Sequence, residues 1–222
     1  MTRTLDLIDS LVAAATPVKR LPSPWARTAV WLLFAAAVIA ALVLLHGVRP
    51  DWDLRIQQLA FRLGMLASLA TGALAALAAF IASLPDRSRL WLLLPLPAAC
   101  VWVSTIGLGC LTGWVGTVGS SIEPYEVARC FSTLLLSSLP LSVLMFWMLR
   151  HTVVLRPIGP ILSAGLAAGA LTATALSVVH AFDASALILV WNFGAAGLVM
   201  AVDAAVGRGV MRSFRRPRPA GR

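Results

Sequence analysis

The sequence predicts an all-α polytopic membrane protein with six transmembrane helices, both termini in the cytoplasm and a short cytoplasmic amphipathic helix ahead of the first span. Three observations lead there. Of 222 residues, 59% are apolar and only 12% are charged, whereas a soluble domain usually carries about 45–50% apolar and about 25% charged residues. The apolar residues fall in six runs long enough to cross a hydrocarbon core about 30 Å thick, which takes about 20 residues of helix. The basic residues are divided very unequally between the two sets of segments that join those runs.

Residues 1–27 form a cytoplasmic N-terminal segment. Thr2–Ala15 reads as a helix: Thr4 caps it, Asp6 and Asp9 favour its N-terminal half, and Pro17 ends it. Leu5, Ile8, Val12 and Ala15 recur at steps of three and four, with Leu11 beside them, which makes one apolar stripe. A helix this short needs a surface to lie on. Membrane-surface helices usually present a basic polar face; here that face carries Asp6, Asp9 and Ser10, so the stripe of Leu5, Ile8, Leu11 and Val12 favours a protein partner. Pro17, Pro22 and Pro24 make a stiff link to the bundle, with Lys19, Arg20 and Arg27 marking the inner surface.

The bundle occupies residues 28–211. Its first span is centred on Ala29–Leu45 (28–47); it lacks the compact basic start and small-residue cleavage site of a signal peptide, so it is expected to stay in the chain. The second follows Arg62 (62–84), with a close-packing pair in Gly72 and Ala76. The third runs from Leu90 (90–112), with Pro95 and Pro97 expected to bend it. The fourth (130–149) is closed by Arg150 and bent at Pro140. The fifth (158–179) carries a second small-residue face, Gly165 and Gly169, and the sixth covers 184–206. Residues 212–222 are a basic cytoplasmic tail, whose Arg215, Arg216 and Arg218 suit anionic lipid better than a nucleic acid.

Sidedness follows from the short segments between spans. Four basic residues, Arg49, Arg55, Arg62 and Arg129, fall on one side, and the other fourteen of the 18 fall with the termini. The net charge of +9 is therefore mostly a topology signal, and direct nucleic-acid binding is not expected. Connections are short, so no soluble domain is hidden between spans.

Little in the sequence supports catalysis. Arg62 is placed to snorkel to the outer interface or to meet Asp51 or Asp53, and Asp203 to anchor against Arg208 or Arg212. No two carboxylates lie together deep in a span, which weakens a proton-coupled carrier. His46, His151 and His180 stand at span ends, in no haem or hydrolytic-metal arrangement. No nucleophile motif is present. The chain reads as a non-enzyme without a cofactor. Cys100 reads as a small apolar filler inside the third span. Cys110 and Cys130 flank the loop between the third and fourth spans on the outer, oxidising side. Two readings stand for them: a sensing pair that forms a disulfide or holds a soft metal ion, or two buried structural thiols. The identity of any metal is left open.

Several local patterns occur in a telling order. Leu7-Ile8-Asp9-Ser10-Leu11 is followed by Thr16-Pro17-Val18-Lys19-Arg20-Leu21-Pro22 and a tryptophan-containing first helix. Then come Ala82-Ser83-Leu84-Pro85-Asp86-Arg87-Ser88-Arg89, Gly109-Cys110-Leu111, Cys130, Val190-Trp191-Asn192 and Gly207-Arg208. In this order, over nearly the whole chain, the sequence resembles the NrsF family of bacterial membrane anti-sigma factors. The resemblance implies negative regulation of an extracytoplasmic-function sigma factor, held at the inner membrane until a stress signal releases it. It also implies sensing by cysteines toward the periplasm, and Cys130 matches one such position. Many relatives carry a cysteine after the histidine of the fifth loop; here Ala181 follows His180.

The expected function joins both lines. The N-terminal helix occludes a sigma factor's polymerase-binding surface through Leu5, Ile8, Leu11 and Val12, and the bundle reports the periplasmic state. The competing expectations are a small permease or efflux subunit, which needs a polar path through the bundle, and a structural subunit of a larger membrane complex.

Overall fold

A computed structural model describes residues 4, 6, 9, 12–13, 22–84, 86–111, 124–150 and 158–179, and for 108–111 and 124–131 the backbone alone. The described elements are α1 (Pro24–His46), α2 (Trp52–Arg55), α3 (Leu59–Ala82), a 3-10 turn (Arg89–Leu93), α4 (Leu96–Leu111), α5 (Pro124–Leu149) and α6 (Ile158–Val179). No strand occurs among the described residues. Five stretches are long and apolar enough to cross a membrane: Pro24–His46, Leu59–Ala82, Arg89–Gly107, Ser132–Leu149 and Ile158–Val179. The sixth run, the tail, His180, Asp203 and the Val190-Trp191-Asn192 pattern lie outside the described residues.

The five long elements run alternately up and down, so the molecule has two ends. At one end Arg27, in the first turn of α1, donates to the Met148 carbonyl at the end of α5 and stacks on Phe80 near the end of α3. Gly159, at the start of α6, sits against Leu92 of the 3-10 turn. At the other end Arg49, just past α1, reaches Ser177 and Val178 at the end of α6 and Phe61 at the start of α3. We call these the Arg27 end and the Arg49 end. The charges that separate on the sequence separate here too: Arg87, Arg89 and Arg150 belong to the first, Asp51, Asp53, Arg55 and Arg62 to the second.

Helices α3 and α6 form the centre, α4 packs on α3, and α1 and α5 complete the other side. The largest cluster joins Trp31, Ala76, Phe80, Leu141, Met145, Ala167 and Leu171; a second joins Ala67, Trp102, Ala170 and Ala173. The central pair approaches closely because its contact residues are small. A Cβ on Gly72 would stand 2.7 Å from Leu171 Cγ and 3.4 Å from the Ala167 carbonyl oxygen. Ala76, one turn on, is fully buried, so the expected Gly72 and Ala76 face is real. Gly165 and Gly169 are only half-buried, and the part of α6 that meets Gly72 is Ala167 and Leu171.

Three boundaries differ from expectation. The N-cap is Ser23, whose hydroxyl accepts from the Ala26 N–H, with Pro24 at the first helical position; α1 therefore starts four residues early and takes Arg27 into the bundle. Pro95 does not bend a continuous third span. A 3-10 turn, capped by Ser88 Oγ accepting from Leu90 N, ends before it, and α4 begins at Leu96 with Pro97 in its first turn, where a missing N–H costs nothing. Likewise α5 starts at Pro124 and draws part of the expected outer loop into helix, then runs unbroken through Pro140.

Candidate functional site

The N-terminal arm meets the bundle through a compact polar junction. The Ser23 cap starts α1, the Thr28 hydroxyl donates to the Pro24 carbonyl at 2.8 Å, and both hold the first turn in place. That turn aims Arg27 inward. The residue is 5% exposed; its guanidinium donates to the Met148 carbonyl in the last turn of α5, where unpaired carbonyls and the helix dipole favour a cation. It also lies 4.5 Å from the centre of the Phe80 ring. One turn further on, the fully buried Trp31 donates its indole N–H to the Leu141 carbonyl at 3.1 Å. Any displacement of α5 is thus felt by the residues on which the arm is mounted.

The Arg49 end holds a second polar knot. The Arg49 side chain, 1% exposed, makes a bidentate pair with Asp51, Nε to Oδ1 at 2.7 Å and Nη2 to Oδ2 at 2.9 Å. Arg55 adds Nε to Oδ2 at 3.2 Å. Arg49 also donates its backbone N–H to the Val178 carbonyl at 3.0 Å and Nη1 to the Ser177 carbonyl at 3.4 Å. Its guanidinium lies 5.6 Å from the centre of the Phe61 ring, which meets Trp52 edge-on. The loop after α1 is thereby tied to the end of α6. The Arg49 hydrogen bonds, assisted by Arg55, hold the Asp51 carboxyl down from 3.8 to about 2.

Neither arginine was recognised in the sequence as interior. Arg27 was expected at the inner surface and is buried; the early cap at Ser23 explains it. Arg62 is exposed, and Asp51 is engaged instead by Arg49 and Arg55, because the helical turn Trp52–Arg55 folds Arg55 back onto it. The signal available was a lone charged residue at each end of a long apolar run.

Of the expected partner-binding residues, Val12 is helical and 69% exposed, as are neighbouring exposed Thr4, Asp6, Asp9 and Ala13 helical. Leu5, Ile8 and Leu11 lie outside the described residues. Cys110 is the last residue but one of α4, and Cys130 lies two turns into α5; their side chains are outside the description. Both belong to the Arg49 end; among the described residues α4 and α5 are not one of the main packed helix pairs. Cys100 is not a buried filler: it is exposed, since it stands two residues, about 200° around the helix, from Trp102, which faces the core. Among the described residues no three of His, Cys, Asp and Glu gather as a metal site.

The described residues thus place two polar knots at opposite ends of a helical bundle, with Arg27 at the root of the N-terminal arm and Arg49 at the far end. The family model described as NrsF, negative regulator of sigma F, matches residues 11–212. The chain belongs to the NrsF family. It is accordingly a negative regulator of a sigma factor, and its partner is a sigma factor. The NrsF match takes in Leu11, Val12, Cys110 and Cys130; Leu5 and Ile8 precede it. No curated protein and no solved structure matches the chain.

Proposed function

We propose that this NrsF member is a membrane-bound anti-sigma factor of the bacterial inner membrane, with six spans and both termini in the cytoplasm. Its N-terminal helix sequesters an extracytoplasmic-function sigma factor and releases it on a periplasmic or membrane stress signal. The observation that carries the reading is a family match over nearly the whole chain, on a scaffold with five helices of membrane-spanning length and composition.

The arm binds through the stripe of Leu5, Ile8, Leu11 and Val12. Release requires two bundle arrangements in which the arm is differently available, since a signal shifts an equilibrium only by its differential affinity for the two states. Support comes from Arg27, which links the root of the arm to the end of α5, the helix whose opposite part carries Cys130.

Two experiments test this. Burying an aliphatic side chain is worth about 1.5–3 kcal/mol, so Leu5→Asp with Ile8→Asp should weaken co-purification of the sigma factor by on the order of a hundredfold; undiminished capture rejects the arm as the binding element. For sensing, Cys110→Ser with Cys130→Ser should abolish stress induction of the sigma factor's regulon. Induction that survives the double replacement removes the thiols from the mechanism.

A further inference from the structure

The Arg27 end has a surface that its regulatory role leaves unused. Trp25, Trp91 and Trp147 are all exposed there, whereas Trp31 and Trp102 are buried in the bundle. Beside them stand three exposed arginines. Arg150 lies 5.0 Å from the centre of the Trp147 ring, and Arg87 and Arg89 flank Ser88 on the connection into the 3-10 turn. The one acid on this connection, Asp86, approaches Arg87 only to 3.9 Å with both side chains largely exposed, a pairing that contributes little. Ser88, between Arg87 and Arg89 in sequence, lines with Leu90, Trp91 and Leu94 a shallow recess of about 240 Å³. The turn that shapes it is fixed by the Ser88 cap and by Gly159, which leaves room for Leu92.

This is a positive rim directly above an apolar wall, at the level where long apolar helices end. Tryptophan with arginine is the pairing that suits a headgroup layer, each ring having an apolar body and a polar edge. A nucleic acid would satisfy the arginines but leave the apolar wall uncovered.

We propose that this end of the bundle binds anionic phospholipid, Arg87 and Arg89 holding the headgroup phosphate and the recess beside Trp91 receiving the first part of an acyl chain. The site rests on the reading that the helices cross a membrane. It gives the Arg27 end, and with it the root of the arm, a defined seat on the anionic leaflet.

The test uses the full chain purified in detergent and native mass spectrometry with phosphatidylglycerol or phosphatidylcholine added. The wild-type chain should retain phosphatidylglycerol in preference. Arg87→Gln with Arg89→Gln should reduce that retention by about 30-fold, from the usual worth of two basic residues at an anionic surface. Arg62→Gln, an exposed arginine at the opposite end, should not. Equal retention of the two lipids, or unchanged retention by the double variant, overturns the proposal, as does displacement by millimolar inorganic phosphate, which marks a free-anion site. Reconstitution separates this from the membrane reading: a chain that inserts into vesicles of both lipids yet shows no preference refutes the lipid site alone, and one that inserts into neither refutes both.

Discussion

Gly72→Leu is expected to separate the two central helices and lower the stability of the bundle by about 3 kcal/mol, the upper part of the range for overpacked cores. Even a single added carbon meets Leu171 Cγ at 2.7 Å and Cδ2 at 2.8 Å. A leucine end can often swing aside, but Leu171 is 2% exposed and enclosed by the largest apolar cluster. Behind it lies the Ala167 carbonyl, at 3.4 Å, which is backbone and cannot move without shifting α6. Thermal unfolding in detergent should show the loss. Gly72→Ala should show a smaller one, and its cost should shrink when it is introduced into a Leu171→Ala background, because that change removes the atoms the added carbon meets. Gly107→Ala is the control: nothing lies within 4 Å of its added carbon, so no loss is expected. If Gly72→Leu and Gly107→Ala unfold alike, the close contact of α3 with α6 is not what holds the centre together.

That contact also shows why the sequence reveals so much of the architecture and so little of its interior. Long uncharged runs located the five long described helices, missing by six residues at the starts of α4 and α5, because the need to bury backbone polar groups in a helix leaves few alternatives to an apolar stretch of that length. The two ends were legible because charges are confined to them. Facing was not legible. In a soluble helix the buried stripe is apolar and the other face polar, but here both the core side and the outer side are apolar. Gly72 and Gly165 therefore read as equivalent, and Cys100 as apolar filler whichever way it faces. The interior arginines were hidden for the opposite reason: a charge at the edge of an apolar run reads as surface until the cap is placed. Ser23 and Pro24 hold the signal that moves Arg27 inward, and the Trp52–Arg55 turn the one that gives Asp51 to Arg55. At the candidate site, the apolar stripe of the arm was visible from its spacing, whereas its mounting on Arg27, Phe80 and Met148 depends on residues more than fifty positions away in sequence.

At the Arg49 end the two partners of one ion pair should respond unequally to removal. Asp51→Ala removes the carboxylate that the Arg49 guanidinium, 1% exposed, holds through two hydrogen bonds; removing one partner of a buried pair costs about 3 kcal/mol or more. Arg49→Met leaves the opposite group behind, and Asp51, 34% exposed and still bonded to Arg55, can take up water. An apolar chain of similar length then fills the space against Phe61, and such exchanges are often close to neutral. Asp51→Ala is therefore expected to be the worse variant by about 2 kcal/mol, and Arg49→Met should rescue it, since the buried cation is then removed with its carboxylate. Acid provides an independent check on the same knot. Because the folded-state carboxyl is depressed from 3.8 to about 2, its ionised form stabilises the fold fully above about pH 5. That contribution fades as the pH falls toward 2 and the carboxyl takes up a proton. The stability gap between the wild-type chain and Asp51→Ala should accordingly be constant from neutrality to about pH 5 and close below it. A gap that narrows already between pH 7 and pH 5 would mean that another group, not this carboxylate, ties the loop after α1 to the end of α6. With the gap flat over that range, acid milder than about pH 5 cannot act by opening the Arg49 knot.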